Sequence, residues 1–243
     1  MSDTSYEKRI QHELEHGKKI SLHAEKVWNW EGVIGQARLK RRAEYLATEL
    51  RSGKRCLEIG CGTGLFTECF AKTGVDLISI DISPELLEKA RKRAPHACIE
   101  KRDACHTGFP DQHFDVIVGS SVLHHLQLEQ ALKEIYRILK PKGTAWFTEP
   151  NYLNPHVWSI MTIGFLKERN GISQDEMALT RWHLSRAFQK TGFSNVRITP
   201  FDFVYPYMPS VTLPFLKATG AILEKIPFVR EIAGSLKISA TKT

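Results

Sequence analysis

The chain has 243 residues, enough for one large α/β domain with at most a helical appendage. Its hydrophobic content of 42% and charged content of 25% are those of an ordinary packed protein and exclude extended disorder. The net charge of +7 raises nucleic acid as a partner, but the basic residues are dispersed. Their densest clusters, Arg38, Lys40, Arg41, Arg42 and then Lys89, Arg91, Lys92, Arg93, read as solvated helix faces without interleaved aromatics, so surface charge is preferred to a nucleic-acid footprint.

Cys56, Cys61, Cys69, Cys98 and Cys105 form no CxxC pair and no metal-type spacing, so no metal is expected. Free thiols without a secretory leader suit a reducing, cytoplasmic setting. The apolar stretch from Val157 to Leu166 is broken by Ser159, Thr162 and Gly164 and is far short of the roughly 20 residues that cross a bilayer. Membrane contact is expected to be peripheral at most.

In chain order, a polar N-terminal stretch precedes Leu39, Ala43, Leu46 and Leu50, whose spacing predicts an amphipathic helix over 36–51. Strands follow at 55–59 and 76–81, with a helix to about Lys72 between them. Ser83 and Pro84 have the N-cap and first-position signature of a helix that turns Leu86, Leu87 and Ala90 inward. Further strands are expected near 97–101, 114–119 and 144–149, with a helix over 128–139 ended by Pro141 and Gly143. Thr180 to Lys190 reads as a helix closed by Gly192, followed by strands at 195–199 and 236–241 that could pair antiparallel. Such alternation predicts a doubly wound α/β fold of Rossmann-like kind: seven strands, mostly parallel with the last antiparallel, and helices on both faces. The whole chain, 1–243, is expected to be one domain: a helical cap at 1–51, a ligand-binding core at 52–150, and insertions at 151–179 and 201–235.

The first strand runs into Glu58-Ile59-Gly60-Cys61-Gly62-Thr63-Gly64. Alternate glycines allow a sharp turn and let a ligand lie against backbone N–H groups. Asp81 ends the second strand, 17 residues after Gly64, where a carboxylate can accept from both hydroxyls of a ribose. Dinucleotide binding asks for G-x-G-x-x-G, and Leu65 stands at the third glycine's place. The E-x-G-x-G-x-G pattern suits an adenine nucleoside without a pyrophosphate.

With LEIGCGTG, ISIDIS, the RDA at 102–104, FDVIVGSSVLHHL and LKPKGTAWFTEPN, the chain resembles the class I S-adenosylmethionine (SAM)-dependent methyltransferases. The likeness is closest to the broad group that includes quinone-biosynthesis and small-molecule enzymes. It is strong over 53–150, weaker from 180 to 243, and slight before 50. It implies SAM as cofactor, with Glu58 and Gly60 to Gly64 (Cys61 and Gly62 among them) around its methionine end and ribose. It further implies Asp81 on the ribose hydroxyls, Ile82 on adenine, Asp103 and Ala104 on the adenine edge, and Ser120 below the sulfonium.

His124 and His125 follow the fourth strand at the expected mouth of the site, where an imidazole suits deprotonation of a hydroxyl or carbon acid. His125 is placed first of the two, and Glu149 could orient the imidazole or the substrate. Glu149-Pro150-Asn151-Tyr152 resembles the N-P-P-Y signature of enzymes that methylate nucleobase amines. It stands after the fifth strand instead of the fourth, which argues against that chemistry. Trp28, Trp30 and Arg38 are candidates for closing over the cofactor, with Arg38 on its carboxylate. The aromatic-rich insertions are expected to roof the pocket. In the second, Phe215, Ile222, Ile226 and Val229 share a side; packing on the chain's own domain is preferred to contact with a lipid-like substrate. The expected function is methyl transfer to a small-molecule acceptor, O- or C-directed and hydrophobic or lipid-like, by a monomer or homodimer. The alternatives are methylation of RNA or protein, or a non-catalytic SAM-binding subunit.

Overall fold

The computed structural model describes residues 3–169 and 176–243; the last part of the expected insertion at 151–179 thus lies partly outside the described residues. Seven strands form one sheet: β1 (Arg55–Ile59), β2 (Asp76–Asp81), β3 (Cys98–Lys101), β4 (Phe114–Ser120), β5 (Leu139–Pro150), β6 (Phe193–Phe201) and β7 (Ser235–Lys242). Their order is β3-β2-β1-β4-β5-β7-β6, parallel from β3 through β5, with β7 antiparallel to both of its neighbours. The order reverses between β1 and β4, which opens a crevice at the carboxyl edge beside the first loop.

Alternation along β4 sends Ile117 to one face and Val116 with Val118 to the other. The first face takes α6 (Leu128–Ile138) and α9 (Arg181–Thr191), whose Leu132, Ile135, Leu184 and Phe188 are buried with Phe147 and Ile238. The second takes α3 (Gly32–Leu46) and α4 (Leu65–Ala71), through Leu39, Leu46, Phe66 and Phe70. Each fully buried Phe here contributes roughly 2–3 kcal/mol relative to exposure. The predicted caps are present. Ser83 Oγ accepts from Leu86 N at the start of α5 (Pro84–Arg93), Thr180 accepts from His183 N, and Gly192 closes α9 at φ 107°.

Within the helical cap expected at 1–51, the polar N-terminus forms α1 (Asp3–Ile20) and the short α2 (Ala24–Val27). Three local expectations are corrected. Pro141 and Gly143 do not sit in a loop after α6. They lie within a β5 that begins directly at Leu139, with Lys142 at φ 64° and a register shift against β4 between Phe114 and Val116.

Of the cluster Arg38, Lys40, Arg41 and Arg42, only Lys40 is solvated as expected. Arg42 is buried on Asp202 at 2.8 Å, Arg38 Nε lies 3.3 Å from the same carboxylate, and Arg41 forks onto Glu224. Burial lowers the Arg42 guanidinium to about 10, whereas Asp202, despite its own burial, is held below the carboxylate range by Arg42 and Arg38. α3 is thereby tied to the second insertion, where removing one partner would strand a buried charge. Finally, Phe215 and Ile222 of α10 (Leu213–Leu223), with Ile226 just beyond it, are exposed instead of packed on the domain. Among the described residues, no helix is long and apolar enough to cross a membrane.

In the first loop Gly64 sits at φ +81°, where an added Cβ would lie 2.9 Å from the Ala90 Cα, a backbone atom. Gly64→Ala should therefore lower stability by roughly 2–4 kcal/mol, read as a fall in the urea or thermal midpoint. An unchanged midpoint would mean that α4 and α5 can separate at no cost.

Candidate active site

The crevice holds a cavity of about 580 Å³, within the range of small-molecule sites. Gly60 and Cys61 donate their N–H groups to Ile80 O, which folds the first loop back over β2. At Gly60, φ is +71° and a Cβ would lie 2.5 Å from Val122, so β1 and the segment after β4 meet only because no side chain intervenes. Asp81 Oδ2 accepts from Gly62 N at 2.8 Å and its Oδ1 from Ser83 N at 2.9 Å. These bonds fix the carboxylate at the cavity wall and leave a lone pair on each oxygen. Burial nonetheless raises its pKa.

Gly60, Cys61, Gly62, Asp81, Ile82, Asp103, Ala104 and Ser120 all line this one cavity, so the residues present fit a nucleoside-bearing cofactor. Two expected members do not line it. Gly64 faces Ala90, and Glu58 is turned into the core, where it accepts from Thr67 Oγ1 at 2.6 Å and Ser79 Oγ at 2.7 Å. An alternating strand that aims Ile59 at the cavity cannot also aim Glu58 there. Trp28 covers the loop, its ring 3.1 Å from the Cβ position of Gly62. Trp30 and Arg38 line the cavity as well, Trp30 under the Arg38 and Arg42 guanidinium groups and Arg38 with its Nε 3.3 Å from Asp202.

His124 and His125, which also line the cavity, occupy a 3-10 turn after β4. Glu149, at the end of β5, organises this turn. Its Oε1 accepts from Val122 N and Leu123 N at 2.9 and 2.8 Å, and its Oε2 meets His124 Nδ1 at 2.6 Å. That carboxylate fixes Nδ1 as the protonated nitrogen and leaves Nε2 free to accept, 3.8 Å from Glu176. Glu149 does not line the cavity and reaches it only through His124 and the turn. His125 Nδ1 lies 3.1 Å from Glu13 and 3.9 Å from Glu176. Burial works against its charge, but Glu13 and Glu176 outweigh it and raise its pKa to about 9. The donor atoms of His124, His125 and Glu176 all fall within 4.8 Å of one another, close enough to share a divalent cation, although the cysteine pattern had suggested no metal.

Sequence reading missed Glu176 and the whole inner face of α1. Tyr6, Arg9, Glu13, His16 and Ile20 recur at helical spacing along the cavity wall, a pattern that was legible. Gly17 brings α1 against Ser83, where a Cβ would lie 2.6 Å from Oγ. Arg9 Nε donates to His125 O at 2.9 Å, and the Tyr6 hydroxyl donates to Asp103. α1 therefore covers the adenine end of the site. Asn151 of the N-P-P-Y lookalike is buried with its amide on Glu231 O and Ala233 O, a structural role.

Burial pushes the Glu58 carboxyl up to about 7, despite the bonds from Ser79 and Thr67. Folding thus favours its protonated form: that contribution is complete below the ordinary carboxylate range and is lost as pH rises through about 7. Glu58→Gln should gain roughly 1–3 kcal/mol on the wild type at pH 8.5 and nothing at pH 4. Equal differences at both values would show that Glu58 ionises freely.

A family model described as a methyltransferase domain matches residues 57–147. An uncharacterized methyltransferase-like protein of Schizosaccharomyces pombe is 29% identical over 151 residues, 60% of this chain and 57% of that one. A demethylmenaquinone methyltransferase of Streptomyces griseus is 34% identical over 111 residues, 45% of this chain and 48% of that one. The chain thus spans about half the length of these curated relatives. A ubiquinone biosynthesis O-methyltransferase of Methylococcus capsulatus is 22% identical over 83% of this chain and 92% of that one. In fold, a SAM-dependent methyltransferase of Thermotoga maritima superposes with a TM-score of 0.70 at 20% identity, covering 94% of this chain and all of that one. Residues 57–147 thus match a methyltransferase domain, and the strand order is the fold of a solved SAM-dependent methyltransferase, findings that support a class I SAM-dependent methyltransferase.

Proposed function

We propose that the protein, one domain capped by 1–51, methylates a small hydrophobic or lipid-like acceptor at oxygen or carbon, with His124 as general base. The observation that carries this reading is the shared cavity: the glycine loop, Asp81 and Asp103 line it, and so does the Glu149-oriented His124. Relatives named for menaquinone and ubiquinone biosynthesis support a hydrophobic acceptor. SAM supplies a methyl group on a sulfonium that is already a good leaving group. The protein's task is alignment, worth several kcal/mol when donor carbon and acceptor are held in line. Asp81, Asp103 and the loop amides hold the cofactor end, while Val157, Ile160 and Met161 of α7 (Pro155–Thr162) exclude water on the acceptor side.

His124 is the better base of the pair, reversing the order expected from sequence. Its Nε2 is unprotonated in the tautomer that Glu149 imposes, and the imidazolium formed by taking a proton lies between Glu149 and Glu176. His125, with a pKa of about 9, is already cationic at neutral pH and cannot accept.

Methyl-labelled SAM incubated with the protein and a cell extract should place label in the lipid or small-molecule fraction, and Asp81→Ala should abolish it. Label in protein or nucleic acid would replace the acceptor class, and SAM binding without any label would favour a binding subunit. Once an acceptor is in hand, His124→Gln should cut kcat by roughly 10²-fold or more with SAM affinity unchanged. A loss below about threefold would remove His124 as base. Chelators should leave turnover intact; inhibition reversed by a divalent cation would reassign the His124–His125–Glu176 cluster to metal binding.

A further inference from the structure

We infer that the outer surface of α10, α7 and the neighbouring α8 (Gly164–Arg169) is a docking face for an anionic lipid bilayer, which holds the cavity mouth toward the membrane. The supply of acceptor from that membrane rests on the proposed function; the docking itself does not.

α10 reads LPFLKATGAIL, apolar on all sides except for Lys217 and Thr219, yet Gly220 is its only buried residue. A helix apolar all round belongs in a core or against lipid. Here Phe215 is 69% and Ile222 61% exposed, and the flanking Val211 and Phe228 reach 83% and 88%. Phe228 is held in the left-handed region at φ 69°, a costly backbone for a bulky residue whose ring then stands in water. Clustered large apolar groups of this kind mark a surface that is covered in use.

The second argument is continuity with the cavity. α7 is apolar on two faces: Val157, Ile160 and Met161 line the cavity, while Trp158 on the same helix is exposed, as is Phe165 on α8. His156, at the start of α7, packs edge-on against Tyr205 and Tyr207, ring centroids 4.9 and 5.7 Å away, and this joins the two insertions at the cavity wall. α7 thus carries both a cavity-lining side and an exposed aromatic residue.

Charge selects the occupant. Between residues 203 and 232 the only acids are Glu224 and Glu231, and each is paired, with Arg41 and with Arg181. Lys217 and Lys225 stand exposed among the apolar groups, the arrangement in which lysine stems lie along hydrocarbon and ammonium groups meet lipid phosphates. A second copy meeting this one through α10 would bring Lys217 and Lys225 face to face, the acids between 203 and 232 being already paired, so the charge pattern of α10 favours an anionic bilayer.

The test uses the full chain with sedimented vesicles of phosphatidylcholine alone or with roughly one-third phosphatidylglycerol. Wild-type protein should sediment with the anionic vesicles, less so in high salt. The double variant Phe215→Glu/Phe228→Glu should bind at least about tenfold more weakly while its SAM affinity by calorimetry, a check on folding, is unchanged. Lys217→Glu/Lys225→Glu should weaken binding to the anionic vesicles in low salt. Wild-type protein that stays in the supernatant with both vesicles would overturn the proposal, as would apolar variants that bind like the wild type. Dimerisation lost in Phe215→Glu/Phe228→Glu, with no vesicle binding by either protein, would assign the face to a second copy and also overturn it. Labelled methyl found only in polar molecules would sink the lipid-like acceptor without touching the vesicle result.

Discussion

The site depends on one buried carboxylate. Glu149 accepts three hydrogen bonds, from two successive backbone amides after β4 and from the His124 ring, so it joins the end of β5 to a turn that otherwise has little to hold it. Because β4 and β5 are adjacent and parallel, their carboxyl ends are in register, and a side chain at the tip of one can satisfy the loop of the other. The imidazole is thereby set in a single tautomer at the cavity wall. Gly60 completes the arrangement, since only a residue without a Cβ leaves room for Val122 on the same turn.

Around this centre the chain builds walls with electrostatic latches more than with apolar packing. Arg42 on Asp202 anchors the second insertion to α3, and Arg9 with Glu13 anchors α1 to the histidine turn. Buried pairs of this type contribute little net stability but penalise any other arrangement of the same segments, because an unpaired charge would be stranded. The latches sit where the roof meets the core. The exposed flank of the roof has none, and there the side chains are apolar.

The core strands, the helix caps and the cofactor wall were legible because each is written in local pattern. Ser83-Pro84 and Thr180 with Gly192 specify helix ends through the residues themselves, and the glycine spacing with Asp81 needs only the sheet order to become a site. The boundary at Pro141 and Gly143 misled because β4 pairs on both sides of them, Phe114 with Leu139 and Val116 with Thr144, so their turn is taken up as a bulge within β5. Glu58 misled because a motif position carries no information about which face of the strand its side chain takes. Glu13 and Glu176 were missed because their importance lies in distance to His125, more than a hundred positions from one and about fifty from the other.

By itself the sequence determined the class of fold, the cofactor and the two histidines, since period, capping and glycine spacing are short-range properties that survive without coordinates. Only the tertiary structure decided which carboxylates the two histidines meet, where the Arg38–Arg42 charges go, and that α10 lies exposed. Those outcomes depend on the neighbours that burial and long-range pairing supply. A carboxylate at 2.6 Å from one imidazole and another at 3.1 Å from its neighbour give two adjacent histidines different partners.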